Sequence, residues 1–323
     1  MPYNMNLRTI VLICVSMIFT ANFAVGQQIP RSTLNKYQQL SFNPAVAGIG
    51  GMGKAQVLVR NQFMGLPGGS GPQSTWVNFD MPIKKIKSGA GLTINQLSQG
   101  FENRLLFKAN YAYFLDFGTG ELGLGLSAGV NSIGWELKNP IYPDGPSDNF
   151  VQQITAQKNY INPIFGFGAC YKTSDFYASL GITELNQPKL KLQNQKIDYF
   201  KRTYWLGAGY DLKTANPLWI IKPAAFVKTT FAATQLSFDL IAEYKSFLMG
   251  GITYTTSGDL SPILGVQFNN DSKFDGLMAL ISYDILLSKM NTQSAGNLEF
   301  MISYSFTIGI EKENKIYRSV RFL

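Results

Sequence analysis

The chain has 323 residues, 46% of them hydrophobic but only 15% charged, where about a quarter is usual for a soluble protein. Its 28 Lys and Arg against 20 Asp and Glu leave a formal charge of +8. It contains no histidine, which removes the usual general base of Ser and Cys hydrolases and the commonest zinc ligand, so the expectation is a protein that is not an enzyme and holds no metal or cofactor.

In chain order, Arg8 is followed by an apolar run from Thr9 to Phe19, and Ala24 and Gly26 place small residues ahead of a cut before Gln27. This pattern predicts a secretory signal peptide over residues 1–26 and hence export. Its removal would leave Cys170 as the single cysteine and rule out an intramolecular disulfide. Residues 27–50 are polar and contain Pro30 and Pro44.

From there on, apolar and small polar residues alternate. Leu122, Leu124, Leu126, Ala128 and Val130 share one face, with Gly123, Gly125, Ser127 and Gly129 on the other. The same period recurs at 165–171, 236–244, 277–285 and in the closing LEFMISYSFTIG at 298–309. Strands are predicted at 52–62, 72–82, 88–98, 103–115, 121–135, 159–172, 174–186, 199–213, 217–229, 232–245, 247–257, 260–270, 275–288 and 297–309.

A β-sandwich also alternates, but its outer face is rich in Lys, Glu and Thr, whereas the second face here is Gly, Ser and Asn, as in a crowded aqueous lumen. Many segments reach the nine to eleven or so residues that a tilted membrane strand requires. The connectors Phe63–Gly71, Glu136–Lys158, Gln187–Asp198 and Lys289–Gly296 are long. Those at Ile83–Lys87, Asp116–Gly120, Thr173, Thr214–Asn216, Ser246 and Asp271–Phe274 are short. Long loops on one side and tight turns on the other predict an all-β, transmembrane, antiparallel up-and-down β-barrel of about fourteen strands, in the outer membrane of a Gram-negative cell. Val227–Gln235 lacks a Gly or Pro to mark a turn, which leaves a range of about twelve to sixteen.

The expected organisation is thus a signal peptide (1–26), an N-terminal periplasmic or plug segment (27–50), the barrel (51–310) and a basic periplasmic tail (311–323). The plug reading gives the first segment a place inside the barrel, with Asn43, Pro44, Ala45 and Gly48 forming a tight turn at its neck. The alternative is a lead tethered in the periplasm.

Candidate partner-binding residues fall at both ends. Lys84, Lys85, Lys87, Lys172, Lys213 and Lys245, with Lys273, lie on the short-turn side, and Lys312, Lys315, Arg318 and Arg321 in the tail. They suit an acidic partner or lipid head groups; no interleaved aromatic pattern points to nucleic acid. On the opposite side, Trp135, Tyr142, Asp144, Asp148 and Phe150 belong to the longest loop, the best surface for an extracellular partner. The oxygen-rich run 144–149 lacks the ligand spacing of a calcium loop and reads as an Asx/Pro turn. Gly65–Gly71 lacks the phosphate-loop pattern and reads as a surface loop. Arg60, Asp80, Lys108, Asp239, Glu243 and Asp284 fall on lumen-facing positions, where they are expected to pair with one another.

Asn43-Pro-Ala-Val-Ala-Gly48, then Arg60-Asn-Gln-Phe-Met-Gly65, Ser282-Tyr-Asp284 with Leu287-Ser-Lys289, and the closing strand 298–306 together resemble the PorP/SprF family of outer-membrane proteins of the type IX secretion system. The resemblance runs over essentially the whole chain after residue 26. It implies a role in secretion and gliding, with a secreted surface adhesin as cargo, and with periplasmic secretion-ring and peptidoglycan-binding lipoproteins and outer-membrane lipid as partners. Phe63 stands where the family usually has Trp, so the resemblance assigns no subfamily or cargo. A second reading is a FadL-like channel or transporter for a small or hydrophobic solute.

Overall fold

The computed structural model describes residues 32–66, 71–135, 159–192, 195–269, 274–287 and 292–308. Period-two alternation is realised as long antiparallel strands: β1 (Gly53–Asn61), β2 (Gln73–Ile83), β3 (Ser88–Gln99), β4 (Glu102–Phe117), β5 (Gly120–Trp135), β6 (Asn159–Lys172) and β7 (Phe176–Thr183). After a small hairpin of β8 (Leu190–Leu192) and β9 (Gln195–Ile197) come β10 (Thr203–Tyr210) and the two-residue β11 (Leu212–Lys213). The series ends with β12 (Trp219–Thr229), β13 (Thr234–Tyr244), β14 (Leu248–Thr255), β15 (Asp259–Gln267), β16 (Leu277–Leu286) and β17 (Asn297–Phe306). Fourteen of these form one closed barrel, in which each strand pairs with its sequence neighbour. The last returns to the first, from Gly53 opposite Phe306 to Asn61 opposite Leu298. β8 pairs only with β9, and β11 is a short addition beside β12.

The two faces of the wall are inverted relative to a soluble protein. In β17, Phe300, Ile302 and Tyr304 are exposed, whereas Glu299, Met301 and Ser303 are buried. Leu124, Leu126 and Val130 of β5 point outward in the same way, and Ser127 and Asn131 inward. An apolar outer face continued around a closed wall is far larger than the patches soluble monomers leave exposed, and lipid is the solvent that suits it. Aromatic rings gather on this face toward the short-turn end, as in Phe79 with Phe306, Phe117 with Tyr171, Trp219 with Tyr244, and Phe247 with Phe268. Their amphipathic rings suit a head-group girdle.

Antiparallel neighbours send successive connectors to opposite ends. The connectors 62–72, 136–158, 184–202 and 287–296 leave one end; 84–87, 118–119, 173–175, 211–218, 245–247 and 268–276 leave the other. Tight turns at 100–101, 230–233 and 256–258 share the long-loop end, so that end mixes long and short connections.

The unmarked turn in Val227–Gln235 is made without Gly or Pro. Phe231 takes a left-handed φ of 63°, the Thr230 amide donates to the Ala233 carbonyl at 3.0 Å, and the hydroxyls of Thr229 and Thr234 meet at 2.8 Å. A local hydroxyl pair thus closes the hairpin that composition leaves unmarked. The predicted strand at 199–213 ends at Tyr210, and the predicted 174–186 shortens to Phe176–Thr183.

In the three-residue turn 245–247, Lys245 and Ser246 both adopt left-handed φ (53° and 52°), a conformation that favours Asn and Gly. Ser246→Gly is therefore expected to stabilise the barrel by about 1 kcal/mol, read as a higher urea midpoint of refolded protein in lipid.

Candidate functional site in the barrel interior

The inward face is where sequence and chemistry concentrate. Residues 32–50 lie against it, from the level of Arg60, near the long-loop end of β1, to that of Asp80, toward the short-turn end of β2. Wall side chains hold this segment at several points. Glu299 accepts from the amides of Thr33 (2.8 Å) and Leu34 (3.0 Å) and from the Ser32 hydroxyl (3.2 Å). Gln56 donates to the Tyr37 carbonyl (3.1 Å), Lys108 to the Ser41 carbonyl (2.7 Å), and Asn78 to the Ser41 hydroxyl (2.9 Å). Asp80 accepts from the Gly48 amide at 2.8 Å.

Asn43, Pro44 and Ala45 lie in a tight turn against the wall, and Gly48 follows it. Asn43 caps a short 3-10 turn, Pro44–Val46, by accepting from the Ala45 amide at 2.9 Å, and it donates to the Ala169 carbonyl of β6 at 3.1 Å. Pro44 at the first helical position has no amide to leave unsatisfied. Gly48 takes φ +74°, and a Cβ there would strike the Met81 carbonyl.

The wall beneath this turn is glycine. A Cβ at Gly125 of β5 would meet the Ala45 amide and the Pro44 carbonyl carbon, and one at Gly168 of β6 would meet the Asn43 side-chain oxygen. The small face visible in the sequence is therefore a bed for backbone, since only glycine lets two backbones approach this closely.

Arg60 forms the most buried charge group. Its guanidinium donates to Asp284 at 2.6 Å and to Glu299, and all three side chains are within 1% of complete burial. Thr33 donates to Asp284 at 2.7 Å, and so does Asn297, at 2.8 Å. The cluster joins β1, β16, β17 and the N-terminal segment in one network.

All six charged residues expected on the inner face are buried there. Of these, only Arg60 and Asp284 pair with each other. Lys108 and Asp80 go instead to the backbone of residues 32–50, Asp239 accepts from Thr253 at 2.8 Å, and Glu243 pairs with Lys222 at 2.6 Å. The expectation of mutual pairing is corrected to this extent: much of the lumen charge meets the N-terminal segment and neighbouring strands. Glu299 and Lys54 lie an even number of residues from Met301 and Arg60 on the same inward faces, whereas Lys222 sits in β12, whose sequence marks no inward position.

At the long-loop end, connector 184–202 folds onto inward positions. Leu190 and Phe200 bury against Ile133 and Tyr160, and the β8–β9 hairpin lies within this connector. Trp135 packs on Tyr160 with ring centroids 5.3 Å apart and donates to Glu102 at 3.4 Å, so it belongs to this cluster rather than to an open loop surface. Glu102 also receives Arg104 (2.8 Å) and the Tyr199 hydroxyl. Tyr142, Asp144, Asp148 and Phe150 lie outside the described residues, as do Lys273, residues 1–31 and the tail from 309 onward.

At the opposite end, Lys84, Lys85, Lys87, Lys172, Lys213 and Lys245 share one rim of the barrel. They differ in their commitments. Lys87 reaches Asp116 at 2.7 Å, and Lys213 reaches Asp175 at 2.8 Å; the hydrogen bond from that ammonium holds the Asp175 carboxyl below its usual range. Lys245 stands over the Tyr244 ring at 5.3 Å, and Lys84 donates to the Ile308 carbonyl at 3.4 Å. Exposed pairs of this kind contribute little to stability, so these lysines remain open to exchange for another anion.

Cavities flank the N-terminal segment, and two of them stand out. One, of about 40 Å³, lies among Trp76, Phe42, Trp205 and the polar side chains of Gln38, Ser127 and Asn131, and has room for a few waters. The other, of about 360 Å³, opens toward the short-turn end between the segment and the wall.

A closed antiparallel wall, apolar outside and polar inside, defines an outer-membrane β-barrel protein. The family of type IX secretion system membrane proteins PorP/SprF matches residues 24–304, and the chain belongs to it. No curated protein sequence matches the chain. Among solved structures, the chain is similar to the P. putida toluene transporter TodX (TM-score 0.48, 10% identity, covering 83% of this chain and 93% of that one). It is also similar to Acinetobacter baumannii Omp33 (0.44, 8%, 81% and 100%) and to a KdgM porin (0.37, 9%, 79% and 99%). Likeness at this level carries nothing about activity.

Proposed function

We propose that this chain is a non-enzymatic component of the type IX secretion and gliding machinery. It helps to export or anchor a cell-surface adhesin at its long-loop end and links to periplasmic ring and peptidoglycan-binding lipoproteins at its short-turn end. The observation that carries this reading is the occupied interior. Residues 32–50 are hydrogen-bonded to the wall from Glu299 to Asp80 and act as a plug, which suits a rigid platform for protein partners better than a solute path. The orientation follows the rule that short turns face the periplasm and long loops the exterior.

Deleting the gene tests the reading. The expected result is loss of one large adhesin from the cell surface, read by protease shaving of intact cells, with its precursor retained inside. An unchanged surface proteome combined with lost uptake of a small hydrophobic solute would contradict it.

The basic rim supplies a further expectation. Charge reversal of Lys84 and Lys85, which hold no carboxylate partner among the described residues, should reduce recovery of a periplasmic partner by about tenfold. Reversing Lys87 as well places a carboxylate beside Asp116 and should weaken recovery further. Unchanged co-purification of the double variant would remove the rim from the docking surface.

A further inference from the structure

We propose that the 360 Å³ cavity at the short-turn mouth is a socket for an acidic side chain of a periplasmic protein, received by Lys54 and Lys172. The inference rests on the orientation and machinery proposed above and names the chemistry of that contact.

The cavity lies between the N-terminal segment and the wall. Lys54, near the start of β1, and Lys172, at the end of β6, both line it from inward positions. Other charges around it are already engaged. Lys36 lies 3.5 Å from Asp211, Asp211 also lies 3.8 Å from Lys222, Asp175 holds Lys213, and Asp80 accepts the Gly48 amide. Lys54 and Lys172 make no ion pair among the described residues; the Lys54 ammonium has only the Tyr37 carbonyl, at 3.5 Å. Asp80, opposite Lys54 across the β1–β2 ladder, offsets one of these positive charges, and the other is left for an incoming anion.

Position and lining favour a protein carboxylate. Lys172 is exposed at the mouth, and both lysines line the recess on the lumen side of the wall, away from the apolar outer face around which lipid head groups are held. Leu40, Val46 and Ile49 of the N-terminal segment give the socket an apolar side. This suits the methylene stem of an Asp or Glu side chain and the residues beside it, whereas a free phosphate would leave that surface wet. A carboxylate bound by two ammonium groups in a recess is a charge-assisted contact, stronger than the same pair on an open surface.

The test uses the full-length tagged chain in native outer membranes. A zero-length carbodiimide joins a lysine amine to a carboxyl only when the two are in contact, and mass spectrometry then locates the bond. The expected product links Lys54 or Lys172 to an Asp or Glu of a periplasmic protein. Recovery of that protein without cross-linker should fall about tenfold in Lys54→Gln and in Lys172→Gln and return in Lys172→Arg, with the heat-shifted gel mobility of the folded barrel unchanged. Cross-links confined to the chain itself, with the periplasmic protein still recovered by both Gln variants, would overturn the socket and leave the machinery reading standing. Recovery of no periplasmic protein with the unaltered chain would overturn both.

Discussion

Arg60→Leu is expected to destabilise the barrel by about 3–5 kcal/mol, the largest effect of any single substitution on the inner face. The guanidinium is the counter-charge for two fully buried carboxylates, Asp284 and Glu299. Removing it leaves both acids without a cation in a region that water does not reach. Glu299 also holds the Thr33 and Leu34 amides, so the loss spreads to the start of the N-terminal segment. Urea unfolding of the refolded protein in lipid should show the lowered midpoint. Combining Arg60→Leu with Asp284→Asn and Glu299→Gln should recover much of the loss, because the unpaired charges are then gone. An Arg60→Leu barrel as stable as the unaltered one would mean that the cluster is not the anchor described here.

The second large effect concerns permeability. Gly125→Val places a branched side chain where the Pro44–Ala45 backbone now lies, and Gly168→Val does the same to the Asn43 side chain. Either change leaves no room for the turn, and the strand has few ways to yield because its neighbours fix its register. The turn should therefore leave the wall. A fourteen-stranded barrel falls between small barrels filled by side chains and the larger porins with aqueous channels, so losing its filling should raise single-molecule conductance by roughly tenfold or more. Planar-bilayer recording of the purified variants against the unaltered chain measures this. Equal conductance would show that residues 32–50 do not set the permeability of the lumen.

Much of the barrel is legible in the sequence because a strand's side chains alternate strictly. Leu122–Val130 and Phe300–Tyr304 could be assigned to shared faces from period two alone, and to the outer face once the Gly, Ser and Asn opposite and the unequal connectors pointed to a barrel; the inward charges followed from the same count. Glu299 was within reach of that count, two residues before Met301 on the same face, but its partner Arg60 lies 239 residues away, and no local pattern announces a pair across the closing seam. The turn at 230–233 stayed hidden because it relies on a hydroxyl pair and a left-handed Phe231 rather than on the residues that usually mark turns.

The glycines of β5 and β6 show a different limit. Their small size is visible in the sequence and suggests a crowded lumen, but what crowds it is the backbone of Asn43–Ala45, contributed from outside the strands. In the same way, the β8–β9 hairpin lies in a connector where Lys189-Leu-Lys-Leu192 alternates over too few residues to stand out; Leu190 is buried against Ile133. Contacts between segments far apart in sequence carry the candidate site, and local periodicity does not encode them.

Purifying the tagged chain from native outer membrane in mild detergent, with mass spectrometry of what accompanies it, tests the central claim most directly. A platform in the secretion machinery predicts a large surface protein, or a periplasmic peptidoglycan-binding lipoprotein, in near-stoichiometric amount. Recovery of the barrel alone, from membranes in which those proteins are present and intact, would contradict it.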